Sequence, residues 1–189
     1  FTANIERETQ RIQEMVDRMM ELAALESQRR LPKVEPVGLR PLLEDLVASA
    51  QASGAARSIR VELAPGELAW VEGEAFLLRR AIGNLLANAL DFSPEGGLVR
   101  VELLQRSRGV DIVVRDQGPG IPDYADARVF EKFYSLARPH SNKKSTGLGL
   151  PFVKEIAELH HGRVALRNGD GGGAVATLSL PAIEAPPAA

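Results

Sequence analysis

The stretch 78–94, LRRAIGNLLANALDFSP, carries two periodic patterns at once. Apolar residues at steps of three and four predict one buried helix face: Leu78, Ile82, Leu85, Leu86 and Ala89. Asn84, Asn88 and Asp91 share a second face. Because Asn is a poor helix former, two of them there indicate a need for neutral carbonyl oxygens, to bind a hard cation or a hydrogen-bonded ligand. For an isolated pair, a solvated polar face would be the better explanation.

The first 28 residues have the pattern of one long helix. A heptad seam runs along it, flawed at two positions, through Ile5, Thr9, Ile12, Val16, Met19, Ala23 and Glu26. Further apolar residues widen this face, which suits a helical bundle and requires a partner. A second copy, a preceding helix or the chain's own domain are the possible partners.

Shorter elements follow a proline-containing segment at 29–36 that lacks periodicity. The pattern predicts strands within 37–39, 58–63 and 68–71, a helix from Pro41, the central helix, hairpins at 98–104/110–115 and 163–167/174–180, and between them a helix opened by Gly147. Residues 182–189 have no pattern and are expected to be disordered. This order predicts an α+β fold, a two-layer α/β sandwich with helices on one face of a single mixed, mostly antiparallel sheet.

Composition narrows the function classes. The chain has 189 residues, 44% of them hydrophobic, a formal net charge of −2 and no cysteine. Near-neutral, interspersed charge gives no case for binding nucleic acid or an acidic membrane surface, and thiol chemistry is excluded. No run approaches the roughly 20 apolar residues of a membrane span, and no signal peptide is found. Since the chain begins inside a helical pattern without Met, we expect it to be part of a longer protein.

A DQGPG segment at 116–120 directly follows a predicted strand. Its glycines permit close approach of a ligand to the backbone, and Asp116 at the strand end can accept a hydrogen bond from the amino group of a base. Taken alone, an ordinary turn is the better explanation.

The segment STGLGL at 145–150 opens a helix. Glycines before a helix expose N–H groups that, with the helix dipole, favour phosphate. The segment is neither a Walker motif nor a dinucleotide fingerprint, and alone it is a weak signal.

The order of these segments along the chain strengthens the interpretation of each one as part of a ligand site. Between the two glycine segments lies a loop with aromatic anchors (Phe130, Phe133, Tyr134) and a basic cluster (Arg138, His140, Lys143, Lys144). An asparagine face, an acid at a strand end, mobile cations and a phosphate cradle are together what binding of Mg-ATP requires.

These motifs resemble the catalytic and ATP-binding domain of two-component sensor histidine kinases, a group shared with gyrase, Hsp90 and MutL. The matching segments are NLLANA at 84–89 with DFSP, DQGPG at 116–120, FEKFY at 130–134, GLGL at 147–150, HHGRV at 160–164 and GGGAVATLSLP at 171–181. DFSP and KKSTGLGLPFV are similar to the CreC branch of this family. The resemblance implies the Bergerat-type ATP-binding fold over 37–181, and it makes 1–28 the second helix of a dimerisation hairpin and 29–36 a linker.

The resemblance also implies roles for individual residues. Asn88 would be the main Mg²⁺ ligand with Asn84 in support, and Asp116 would accept from the adenine amino group. Gly118, Gly120, Ile121 and Phe92 would form the adenine pocket. Residues 122–146 would be the ATP lid, anchored by Phe133. Phosphate contacts would come from Gly147, Leu148, Gly149, Thr146, Lys143 and Lys144, with solvated charge almost as good an explanation for either lysine. Arg138 and His140 rank below these lysines as phosphate contacts. Asp91 stands where many members have Lys or Arg, which leaves its role in the site open.

The implied function is transfer of the ATP γ-phosphoryl group to a histidine and then to a response-regulator aspartate. The partners would be the receiver domain, the chain's own dimerisation helix and a second protomer, in the cytoplasmic part of an inner-membrane bacterial protein. We expect the phosphoacceptor to lie outside this chain, because His140, His160 and His161 do not fit that role, and His160, at the end of a helix, is expected to pack. A nucleotide-binding scaffold without kinase activity and an anti-sigma-factor serine kinase are the alternatives.

Overall fold

A computed structural model describes residues 2–140 and 145–187. Within them the helices are α1 Thr2–Ser27, α2 Leu39–Gly54, α3 Ala75–Phe92 and α4 Gly149–Leu159. The strands are β1 Glu35–Gly38, β2 Arg60–Leu63, β3 Trp70–Gly73, β4 Leu98–Arg106, β5 Gly109–Arg115, β6 Arg163–Asn168 and β7 Ala174–Pro181. None of the helices in the described part of the chain is long and apolar enough to cross a membrane.

The main sheet has five strands in the order β2-β4-β5-β7-β6. In this sheet β2 pairs with β4 in parallel, and the pairs β4-β5, β5-β7 and β6-β7 are antiparallel. Helix α2 packs on β2, α3 on β4, β5 and β7, and α4 on β6 and β7. Alternate strand residues such as Val99, Ile112 and Leu178 are fully buried beneath these helices. The two-layer α+β prediction is therefore confirmed.

A second, two-stranded sheet was not predicted. Strands β1 and β3 pair antiparallel, and Ile183 extends this sheet by donating its backbone N–H to the Trp70 carbonyl at 2.9 Å. The Trp70 ring lies over Gly38, where a Cβ would come within 3.2 Å of it. Strand β1 thus begins inside the segment predicted as a linker, and the start of the predicted disordered tail is hydrogen-bonded.

Two helices begin at residues other than those predicted. Helix α2 starts at Leu39, so Pro41 lies within its first turn, where the missing N–H costs no hydrogen bond. Helix α4 starts at Gly149 and not at Gly147, because Gly147 has a left-handed φ of +69° that no α-helix accommodates.

Polar side chains fix the ends of the central helix α3. At its start, the backbone N–H of Glu74 donates to Nε2 of His160 at 3.0 Å, and the imidazole stands where a Gly73 side chain would be. Burial lowers the pKa of His160, in keeping with a neutral ring that accepts at Nε2. At its end, the Arg57 guanidinium donates to the Leu90 carbonyl at 2.8 Å. His160 therefore packs, as its sequence position predicted.

Candidate functional site

A cavity of about 1240 Å³ opens between α3, α4 and the carboxyl end of β5. Described residues of the 122–146 segment, called the lid below, line another side of it, among them Val129, Tyr134 and Arg138. Residues predicted for a ligand site from three separate parts of the chain line it: Asn84, Asn88, Asp91, Phe92, Asp116, Gly120, Ile121, Thr146, Gly147 and Gly149. The fold brings together the asparagine face, the strand-end acid and the helix opening, which sequence reasoning joined only through their order.

Asp116 is half-buried at the end of β5. Its Oδ1 accepts backbone N–H bonds from Gly118 at 2.8 Å and Ala174 at 3.0 Å, while Oδ2 has no hydrogen bond within the described residues. Burial raises the pKa of this carboxyl, and the two backbone N–H bonds oppose that rise. The carboxylate is thus held by one oxygen, and the other is available to accept from a ligand amino group.

Asn84 and Asn88 face the cavity from successive turns of α3, both partly exposed. Neither side-chain amide has a hydrogen bond to another described residue. In the described part of the chain, no cluster of three His, Cys, Asp or Glu side chains could bind a metal. The amide oxygens of Asn84 and Asn88 can be donated to a hard cation at this wall, and oxygen donors fit Mg²⁺, which commonly completes its shell with water and substrate phosphates.

The opening of α4 forms the opposite wall. Gly147 accepts a 2.9 Å hydrogen bond from the Phe133 N–H, and a Cβ on Gly147 would lie 2.5 Å from the Phe133 carbonyl carbon. A Cβ on Gly149 would meet nothing within 4 Å, so this backbone faces open space. Unpaired N–H groups at the start of a helix favour binding of a phosphate group when the position is open, as it is here.

Comparison with known proteins places this geometry in a family. Residues 73–184 match the family model described as histidine kinase-, DNA gyrase B- and HSP90-like ATPase. The chain belongs to this ATPase family. The mycobacterial sensor histidine kinase MprB, a solved structure, is 31% identical with a TM-score of 0.72 over 80% of this chain and 100% of that one. The domain is thus an ATP-binding catalytic domain of the sensor histidine kinase type.

Longer relatives support the same assignment. Sensor protein CreC of Escherichia coli K12 is 39% identical over 95% of this chain and 37% of its own length. Sensor-like histidine kinase SenX3 of Mycobacterium tuberculosis H37Rv is 32% identical over 97% of this chain and 45% of its own length. The chain therefore spans less than half the length of these two relatives. Full-length ShkA in complex with AMPPNP, 23% identical with a TM-score of 0.82 over 97% of this chain and 38% of that one, shares the fold.

Some residues that the resemblance assigned to the ATP site do not line the cavity. Leu148 is buried in the core, and Gly118 lies beneath the end of α3, where a Cβ would be 2.6 Å from the Phe92 carbonyl oxygen. The Phe133 side chain is 53% exposed, and this residue contacts the start of α4 through its backbone. Lys143 and Lys144 lie outside the described residues. Contact of any of these with the nucleotide stays a prediction.

Asn168 was missed by sequence reasoning. Its side chain accepts from the Ile121 N–H at 2.7 Å and donates to the Ile121 carbonyl at 3.0 Å, which fixes the DQGPG loop to β6. Gly120, with a φ of +77°, leaves room for this contact, since a Cβ there would be 2.5 Å from Asn168 Oδ1. The residue lies 47 positions from its partner, and no local pattern marks it.

Helix α1 forms an outer wall of the cavity that was also not predicted. One polar face of the helix lines the opening through Asn4, Glu8, Arg11, Glu14 and Arg18. Their spacing of three and four residues was visible in the sequence, but it is equally typical of a solvated helix face.

Contacts near its C-terminus hold α1 in this position. Leu22 and Leu25 are buried in the domain core. Glu21 forms an ion pair with Arg80 of α3 at 2.6 Å, and Glu26 forms one with Lys132 of the lid at 2.7 Å.

Arg138 of the lid was ranked below the two lysines as a ligand contact. Its guanidinium forms a 2.9 Å ion pair with Asp91 of α3, and both side chains line the cavity. The acid whose role in the ATP site was left open therefore has a partner across the cavity.

Proposed function

We propose that this ATP-binding domain takes up ATP as its Mg²⁺ complex and catalyses phosphoryl transfer to a protein histidine. The observation that carries the proposal is the convergence of Asp116, the asparagine face of α3 and the glycine opening of α4 on one cavity. These groups match the three parts of the ligand: the adenine amino group, the metal and the phosphates. The AMPPNP named with ShkA is a nucleotide of this kind.

The domain's own residues act mainly by positioning. Asp116 orients the base, with Phe92 and Ile121 along the apolar side of the cavity. The backbone N–H groups at the start of α4 bind the phosphate oxygens, and Asn88, supported by Asn84, provides oxygen ligands for Mg²⁺. When bound, Mg²⁺ would neutralise charge that accumulates on the phosphates during transfer.

The reaction follows from this arrangement. A nitrogen of the acceptor imidazole forms a bond to the γ-phosphorus while the bond to the β–γ bridging oxygen breaks, and ADP leaves. An acidic side chain next to the acceptor takes the imidazole proton. Transfer of this type depends mostly on orientation and charge stabilisation, which are the contributions that the cavity offers.

The parent protein would be longer than the chain. We infer that 1–28 is the second helix of a dimerisation hairpin, 29–36 a linker, 37–181 the catalytic domain and 182–189 a tail. A second protomer would cover the exposed apolar residues of α1, and a response-regulator receiver domain would accept the phosphoryl group. The domain would belong to the cytoplasmic side of a bacterial inner-membrane sensor.

Phosphorylation in trans tests the kinase activity. The chain is mixed with Mg-ATP and a separately produced dimerisation hairpin that carries a phosphoacceptor histidine. We expect acid-labile phosphate on that histidine, and its loss with Asn88→Ala. ATP binding without any acid-labile phosphate would contradict the kinase proposal and favour the nucleotide-binding scaffold.

A further inference from the structure

Asp91 places a negative charge on the wall that is proposed to face Mg-ATP. It lies one helical turn beyond Asn88, on the same face of α3, and its side chain is 37% exposed. A carboxylate at this position repels a polyphosphate unless a cation neutralises it. The ion pair with Arg138 is therefore the feature of the cavity that most needs a functional explanation.

Arg138 crosses from the lid to meet Asp91. Its side chain is only 16% exposed, with 2.9 Å between Nη2 and Asp91 Oδ2. Its Nε is buried and has no hydrogen-bond partner among the described residues. Guanidinium carries five N–H donors and stays charged, so donors remain after the pair with Asp91 has formed. A buried N–H without an acceptor is unfavourable, which favours binding of an additional acceptor next to it.

We propose that Asp91 is a positioning residue that holds Arg138 at the cavity, where the guanidinium binds the phosphate chain of the nucleotide. The inference rests on the proposed function of the cavity as a Mg-ATP site. It explains how an acid is tolerated on this face of α3, because the lid places a cation next to Asp91. A planar guanidinium can contact a carboxylate with one edge and a phosphate with another, whereas a lysine ammonium is a point charge.

The phosphate chain is the part of the ligand that this pair would reach. The adenine end is assigned to Asp116 at the end of β5, and the metal end to Asn88, three residues before Asp91. A guanidinium beside the metal-binding turn favours anionic oxygens over a neutral base. Replacement of Arg138 should therefore weaken the binding of nucleotides and leave the binding of the nucleoside adenosine unchanged.

Calorimetry with Mg-ATP and with adenosine tests the inference. We expect Arg138→Met to weaken Mg-ATP binding by about tenfold to a hundredfold, the effect of a lost charge-assisted contact, with adenosine affinity unchanged. Asp91→Asn should weaken Mg-ATP binding less, because the cation remains but is no longer held. In the double variant the two losses should not add, since Arg138→Met alone also leaves Asp91 without its cation.

Matched controls come from another ion pair of α3. Arg79 and Asp45 join α3 to α2 at 3.3 Å outside the cavity, so Arg79→Met and Asp45→Asn should bind both ligands as the unmodified chain does. Unchanged Mg-ATP affinity in Arg138→Met, an equal loss of adenosine affinity, or strictly additive losses would each overturn the inference. If the unmodified chain failed to bind Mg-ATP, the proposed function itself would fall.

Discussion

At the scale of single residues, burial and backbone hydrogen bonds decide what Asp116 can do. Two N–H groups hold Oδ1, and the close approach of Gly173, where a Cβ would lie 2.0 Å from the Asp116 carbonyl oxygen, fixes the backbone. Burial raises the carboxyl pKa above its ordinary value of 3.8. The ionised form is needed to accept from an amino group, so binding of the base is linked to this ionisation.

Acidification should therefore weaken adenosine binding earlier than an ordinary aspartate would. As pH falls through the raised pKa of Asp116, the free domain takes up a proton that the ligand must displace, and affinity falls by up to tenfold per pH unit below that pKa. Calorimetry at a series of pH values, from pH 7 down to below the raised pKa of Asp116, measures this. Asp116→Asn should bind more weakly at pH 7 and show little of this pH dependence. An identical pH profile in both proteins would contradict the role of Asp116.

Residues of the site differed in how well the sequence predicted them. That Asn88, Asp116 and Gly147 would lie near one another was predictable, because motif order linked them through a family resemblance, and all three line the cavity. Asn168 was not, because its contact joins distant segments without a local signal. His160 was predicted to pack, but its partner Gly73 lies 87 positions away and only the fold brings them together.

At the scale of elements, α1 is divided between two environments. Near its C-terminus, Leu22 and Leu25 are buried in the domain core. Further toward the N-terminus, one polar face lines the cavity and the apolar seam is exposed at Ile12, Val16 and Met19. The sequence predicted the seam and its need for a partner. Packing of the helix on the chain's own domain, which its C-terminal end shows, was one of the three possible partners that the spacing left open.

The buried Leu22 side chain should contribute much of the free energy that holds α1 against the domain. Leu22→Ala removes a side chain that is 1% exposed, and such a truncation costs about 2–5 kcal/mol. We expect amide hydrogen exchange in 15–27 to accelerate strongly while the five-stranded sheet stays protected. Met20→Ala, at a 65% exposed position of the same helix, is the matched control and should change little. Equal exchange in both variants would show that α1 is not held through this contact.

At the scale of the whole molecule, the sequence predicted the layers but not the sheet order. Strand β7 lies between β5 and β6, and β2 adds a parallel edge to β4. The alternating burial of these strands is similar, so their patterns do not specify neighbours. The β1-β3 sheet escaped prediction for the same reason, since both strands have four residues and their partners are distant in sequence.

The cavity is formed by parts of the chain that only the complete fold brings together. Its walls come from α1, α3, the end of β5, the lid and α4, and each part alone has an ordinary structural explanation. Their convergence agrees with the family resemblance, and it supports the central claim that the asparagine face binds the metal of Mg-ATP while Asp116 binds its base.

Calorimetric titration with ATP, in the presence and absence of Mg²⁺, tests this claim most directly. We expect the unmodified chain to bind ATP more tightly with Mg²⁺, Asn88→Ala to lose that increment, and Asp116→Ala to bind ATP weakly in both conditions. Asp45→Asn, outside the cavity, should behave as the unmodified chain. Unchanged affinities in both Asn88→Ala and Asp116→Ala would contradict the assignment of the site.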